Sequence, residues 1–219
     1  MIMRLSSKLE TVKGVGPKTA EQLCLAGLHT VQDLITFLPR KYEDYSTVVK
    51  IKNIKPGKQT IRAKCESTNI KRVRRGTTVV TATLADDSGK LQAVWFNQPY
   101  RAKQFSPSDE YMFSGEFEYR GGRYQLSSPS AEKSSELNVS SDRIVPVYRA
   151  VKGLKSQIVR KILIELKPLM TMLPETLPPE IVSSQNLTTY SDALVKLHFP
   201  TSNDHIEIAR ERLAFEELF

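Results

Sequence analysis

The apolar residues of this chain change their period twice, and that limits what it can fold into more than any other feature. From about Val48 to Pro146 they recur every second position, whereas on either side they recur at helical spacing. An alternating pattern buries one face only as a strand, so the middle is predicted to be sheet and both ends helical. In the middle, Ile61, Ala63 and Cys65 alternate with polar residues, as do Val80, Ala82 and Leu84. Leu91, Ala93 and Trp95 follow an Asp87-Ser88-Gly89 turn; Tyr111, Phe113, Gly115, Phe117 and Tyr119 form a fourth run. The Arg120-Gly121-Gly122-Arg123 turn returns the chain through Tyr124 and Leu126.

Five short strands with an insertion after the third, Pro99 to Phe105, match the order of an OB-fold, a partly open barrel that commonly binds oligonucleotides. An SH3-like barrel or a half-sandwich has a compatible strand count. The expected class is therefore α+β, with residues 1–47 a helical segment, 48–149 a five-stranded OB-fold β-barrel and 150–219 a second helical segment. In the first segment Leu5, Leu9 and Val12 keep helical spacing up to KGVGPKTA. A second helix carries Ala20, Leu23 and Cys24 with Pro17 in its first turn, and Thr30 caps a third that Pro39 stops. In the last segment Ile158, Ile162, Leu163 and Leu166, then Ala193, Leu194 and Leu197, then Ile208, Ala209, Leu213, Phe215 and Leu218 read as helices around a Pro-rich LPETLPPE. The final helix runs to Phe219 with no Gly, Pro or cap, which reads as the front piece of something longer, packed against the part that follows.

Charge narrows the function classes. The formal net charge is +8, but residues 50–103 hold 13 Lys and Arg against Glu66, Asp86 and Asp87, a net of +10 that leaves −2 for the remainder. Basicity confined to one region favours a binding face for an anionic partner. No apolar stretch approaches the roughly 20 residues of a membrane span, and no secretory signal is visible, so a soluble, cytoplasmic chain with no membrane partner is expected. Cys24 and Cys65 have no metal-like spacing and read as small buried hydrophobes.

Three motifs point to nucleic acid. In Lys13-Gly14-Val15-Gly16-Pro17-Lys18 the glycines permit a tight turn, and the following helix start, bracketed by Lys13 and Lys18, suits a phosphate; the arrangement is helix-hairpin-helix-like. The same glycines also suit a plain corner between packed helices. A P-loop is excluded, because a helix precedes the segment and Pro17 separates Gly16 from Lys18. At the tip between the first two strands, Lys71, Arg72, Arg74 and Arg75 place four cations where they can meet phosphates, or simply protect an edge. In Val94-Trp95-Phe96-Asn97-Gln98-Pro99-Tyr100-Arg101-Ala102-Lys103, alternation turns Phe96 outward if Trp95 is inward, and Pro99 ends pairing so that Tyr100 starts a short helix. Two rings flanked by Arg101 and Lys103 are what unpaired bases require, although both rings could equally fill the barrel core. Catalytic and metal constellations are not found: His29, His198 and His205 are scattered, as structural histidines usually are, and Asp86-Asp87 reads as a turn cap.

KGVGPKTAEQL, HTVQDLITFLPRKYEDYS, LADDSGKLQAVWFNQPY, the Ile144-Val145-Pro146-Val147-Tyr148 strand, LHFP and RLAFEELF, in this order, resemble the N-terminal part of the RecG family of bacterial ATP-dependent DNA helicases. The resemblance implies a wedge domain that splits strands at replication forks and Holliday junctions in repair and recombination, with Phe96 and Tyr100 as the base-stacking pair. It implies that catalysis, with ATP and magnesium, belongs to motor domains following RLAFEELF, and that this chain holds no cofactor, metal or catalytic residue of its own. The implied partners are branched DNA (forks, Holliday junctions and single-strand/duplex junctions), the chain's own motor domains and a single-stranded-DNA-binding protein. A protein-interaction OB module and an RNA-binding OB protein are the competing readings.

Overall fold

Prolines, glycines and a capping box set the helix boundaries of this chain. The computed structural model describes residues 4–73, 76–134, 144–149 and 154–218. In chain order the helices are α1 (Pro17–Leu25), α2 (Val31–Ile35), α3 (Ser156–Met170), α4 (Pro179–Ser184), α5 (Tyr190–His198) and α6 (Asn203–Leu218). The strands are β1 (Lys41–Asp44), β2 (Val48–Val49), β3 (Gly57–Arg72), β4 (Thr78–Asp86), β5 (Gly89–Phe96), β6 (Glu110–Arg120), β7 (Arg123–Lys133) and β8 (Ile144–Val147). They fall into two units, residues 43–143 and a second made of residues 1–42 with 144–219.

In the helical unit α1 starts on Pro17, and α2 starts at Thr30, whose hydroxyl accepts from the Asp33 amide (3.2 Å) while the Asp33 carboxylate accepts from the Thr30 amide (2.9 Å). Two orphan amides are satisfied reciprocally. The helix expected over Leu5 to Val12 is only a 3-10 turn, Leu9–Thr11. Its backbone is drawn into longer-range bonds instead: Leu9 N donates to His29 O (3.1 Å), Val31 N to Ser7 O (2.9 Å) and Gln32 N to Leu5 O (2.9 Å). The helix-hairpin-helix-like expectation is corrected to that extent, since an α-helix lies on only one side of Gly14. Leu9, Val12, Leu23, Val31, Leu34 and Ile35 share one apolar core with Leu163, Leu166, Met170 and Leu194. The two helical ends, separate in the sequence reading, are thus one unit; α1 and α2 are too short to be stable without such packing. Cys65 is buried as expected, but Cys24 is exposed, because α1 turns Leu23 and not its neighbour inward.

The other unit is built on a sheet of order β2-β3-β4-β5-β7-β6, in which β3 also pairs with β6. The sheet therefore curls back on itself through its longest strand, an OB-like arrangement of β3 to β7 with the two-residue β2 added in parallel. Its inner face is Ile61, Ala63, Cys65, Val80, Ala82, Leu84, Leu91, Ala93, Trp95, Phe113 and Leu126, the residues that alternation places inward. Phe105, in the insertion after β5, completes that core against Trp95 (5.7 Å between centroids), Tyr111 (5.2 Å) and Phe113 (5.4 Å). Among the described residues no helix is long and apolar enough to cross a bilayer.

Candidate nucleic-acid interface

Strand register decides what stands beside what on the outer face. Ile70, Val80 and Trp95 form one row across β3, β4 and β5, and the next row is Lys71, Val79 and Phe96. Side chains directly opposite one another share a face, and successive rows alternate. Trp95 and Val80 are buried, with the indole N–H donating to Pro129 O (2.8 Å), so Lys71 and Phe96 project from the opposite, outer face. Phe96 is 38% exposed. Lys71 and Arg72 are exposed, and among the described residues neither pairs with a carboxylate. Arg74 and Arg75 lie outside the described residues.

The chain leaves β5 through Asn97, whose φ of 56° ends the extended conformation. Its amide donates to Thr78 O (2.7 Å) and its side-chain oxygen accepts from Thr78 N (3.1 Å), which pins the exit to the start of β4. Pro99 then opens a 3-10 turn, Pro99–Lys103, anchored by the Thr68 hydroxyl donating to Ala102 O (3.0 Å). Tyr100 on this turn is 61% exposed. Its hydroxyl donates to Gln98 Oε1 (2.8 Å), and the Arg101 guanidinium carbon lies 5.4 Å from its ring centroid and 5.6 Å from that of Trp95. Arg101 is held by Gln98 Oε1 (3.2 Å) and Gln104 Oε1 (2.8 Å), while Lys103 is exposed. Both candidate rings are therefore at the surface, and the ring that alternation turns inward, Trp95, is the one in the core.

The cation against Phe96 is one the sequence reading did not single out. Arg120, at the end of β6, has its guanidinium carbon 5.4 Å from the Phe96 centroid. Neither periodicity nor local spacing carries that contact, because it depends on how the β6–β7 hairpin lies against β5. The three acids of the basic region are engaged. Glu66 pairs with Lys90 (2.7 Å) and Asp87 with Lys50. Burial would raise the Asp86 carboxyl, but bonds from the Ser88 hydroxyl and the Ile51, Ser88 and Gly89 amides hold it below the usual carboxylate range. The acids of the basic region thus cap and brace a turn.

The glycine-turn residues belong to the helical unit. Gly14 has φ of +87°, which favours glycine, whereas Gly16 is an extended N-cap that other residues could adopt. Lys13 and Lys18 are exposed, and Lys13 and Gly14 border a shallow cleft of about 420 Å³ with Thr19, Lys161 and Glu165.

Residues 8–169 match the model of the RecG wedge domain family. The ATP-dependent DNA helicase RecG of Thermotoga maritima is 35% identical over 98% of this chain, and that of Staphylococcus aureus strain MRSA252 is 29% identical over 95%. The chain spans 28% and 31% of the lengths of those two proteins. A solved structure of RecG bound to a three-way DNA junction matches all of this chain, with a TM-score of 0.65 and 34% identity, over 30% of its own length. With an OB-like sheet, its outer rings and cations, and a family match over most of its residues, the chain belongs to the RecG wedge domain family.

Proposed function

We propose that this chain is the branched-DNA-binding wedge segment of a RecG-like ATP-dependent helicase acting at forks and Holliday junctions. The observation that carries the reading is the shared outer row of Lys71 and Phe96, with the exposed Tyr100 one short turn further on. Stacking a base on an exposed ring is worth about 1 to 3 kcal/mol and tolerates any base. Opening one base-pair step costs about 1.4 kcal/mol on average. Two rings can therefore offset about one to four opened steps, enough to hold a junction apart but not to advance it. Sustained unwinding must draw on ATP and magnesium bound by motor domains elsewhere in a full-length cytoplasmic protein. Lys71, Arg72, Arg74, Arg75, Arg101 and Lys103 supply the salt-dependent phosphate contacts, and Lys13, Gly14, Gly16 and Lys18 form a further candidate phosphate contact.

Fluorescence anisotropy with a model fork and a linear duplex of the same sequence tests this reading. The chain is expected to prefer the fork, and Phe96→Ala with Tyr100→Ala is expected to weaken fork binding by about thirtyfold or more. Equal affinity for fork and duplex at moderate salt would count decisively against it. Because both rings are exposed, the thermal midpoint of the variant should stay near that of the parent.

A further inference from the structure

The β6–β7 hairpin carries a feature that the Phe96 and Tyr100 pair does not explain. Phe117 and Leu126, paired across its base, are buried in the sheet core. The next pair on the same side, Tyr119 opposite Tyr124, runs past that core, 64% and 54% exposed. Core-facing positions beyond the end of a core are ordinarily polar, since nothing covers them. Here both are aromatic, and their rings are held. Tyr124 stacks on Phe117 (5.4 Å between centroids, 21° between planes), and Tyr119 meets Tyr124 edge to face (5.1 Å, 65°). A ring backed by the core is preorganised, so a ligand stacked on it loses less to ordering.

The hairpin end is also cationic. Arg120 pairs with Arg123 across the Gly121-Gly122 turn, with Glu118 3.6 Å from the Arg120 guanidinium. Arg120 and Arg123 form the next row, which alternation turns to the outer face, where Arg120 lies over Phe96; the tyrosine pair and the arginine pair therefore take the two faces of the hairpin end. Flat exposed rings at a hairpin end whose other face is cationic suit a strand whose bases are unstacked, because a duplex keeps its base faces covered.

We propose that Tyr119 and Tyr124 form a second single-strand-binding platform, which takes the unpaired DNA strand after it passes from Phe96 round the cationic hairpin end of Arg120 and Arg123. This rests on the wedge reading above and adds to it a preference for branched DNA with a single-stranded arm.

The test compares two substrates by anisotropy: a fork with one single-stranded arm and a three-way junction whose arms are all duplex. Tyr119→Ala with Tyr124→Ala is expected to bind the first about thirtyfold more weakly and the second almost unchanged. Tyr119→Phe with Tyr124→Phe, which keeps the rings, should bind both like the parent. Tyr119→Ala alone, whose ring contact is with Tyr124, should move in the same direction, and unchanged Trp95 fluorescence verifies the fold. Equal loss on both substrates, or no loss on either, overturns the proposal. If the hairpin variants are silent while Phe96→Ala with Tyr100→Ala weakens both substrates, the second platform fails and the wedge reading stands. If the parent binds neither better than linear duplex, both fail.

Discussion

His198 is a base that folding keeps neutral. It is 2% exposed, and its Nε2 lies 2.7 Å from Ile35 O, which can only accept, so Nε2 carries the proton and Nδ1 accepts from the Tyr148 hydroxyl (2.8 Å). Burial pushes its pKa down to about 4 from 6.5, against the opposing bond to Ile35. Between those values the unfolded chain binds the extra proton and the folded chain does not. This contribution to stability, on the order of 3 kcal/mol, is present in full above pH 6.5 and lost as pH falls towards about 4. Thermal midpoints taken at about pH 7 and about pH 5 should therefore fall with acidification, and His198→Phe should flatten that slope. A second acid-sensitive contact lies in the same unit. Burial would raise Glu175, but the Tyr190, Leu177 and Thr176 amides and the Arg212 side chain bond to it and hold it at about 2, so its contribution is lost only as pH falls from 4.5 through that value. Arg212 is fully buried, bonding Glu175, Thr176 (3.0 Å) and Glu216 (2.7 Å). Arg212→Ala removes the buried member of that network and leaves two partly exposed carboxylates without their donor, and is expected to cost about 1 to 3 kcal/mol in urea unfolding. Nothing in the apolar pattern of α6 marked this arginine as buried, because its partner Glu175 comes from the Pro-rich segment far away in sequence.

At the scale of elements, the β6–β7 pairing turns on one glycine. The register shifts between Ser114 and Glu116, and a Cβ on the intervening Gly115 would lie 2.8 Å from Pro129 Cα and 3.1 Å from Ser127 O. Both neighbours are backbone and cannot swing aside. The bulge that brings these chains together also presents Pro129 O to the Trp95 indole. Gly115→Ala is therefore expected to destabilise the chain by about 1 to 3 kcal/mol and to alter the fluorescence of Trp95, its single tryptophan. Alternation identified Gly115 only as one more inward position in its strand. It said nothing of the bulge, which is a property of two strands and not of one. The helix starts were more legible: Thr30 and Pro17 act within a turn of themselves, so their signals survive in the local sequence.

Over the whole molecule the two units differ in what each needs. Residues 43–143 contain a core of their own, whereas Leu23, Val31 and Leu34 have their core partners in α3 and α5. Residues 43–143 expressed alone are expected to melt cooperatively and residues 1–42 alone are not, as circular dichroism would report. The regional charge also has a measurable consequence. Lys71→Gln with Arg72→Gln should reduce the slope of log affinity against log salt by about 0.9 for each duplex-arm phosphate that these side chains neutralise in the parent. Period and charge count were enough to divide the chain into helical ends and a cationic sheet, and to choose which residues of each strand face inward. Both depend on neighbours in the chain. The union of the two ends into one core, the burial of Arg212 and the arrival of Arg120 over Phe96 were open until strands and helices distant in sequence had packed, since register, bulge and curl set those distances and no local pattern encodes them.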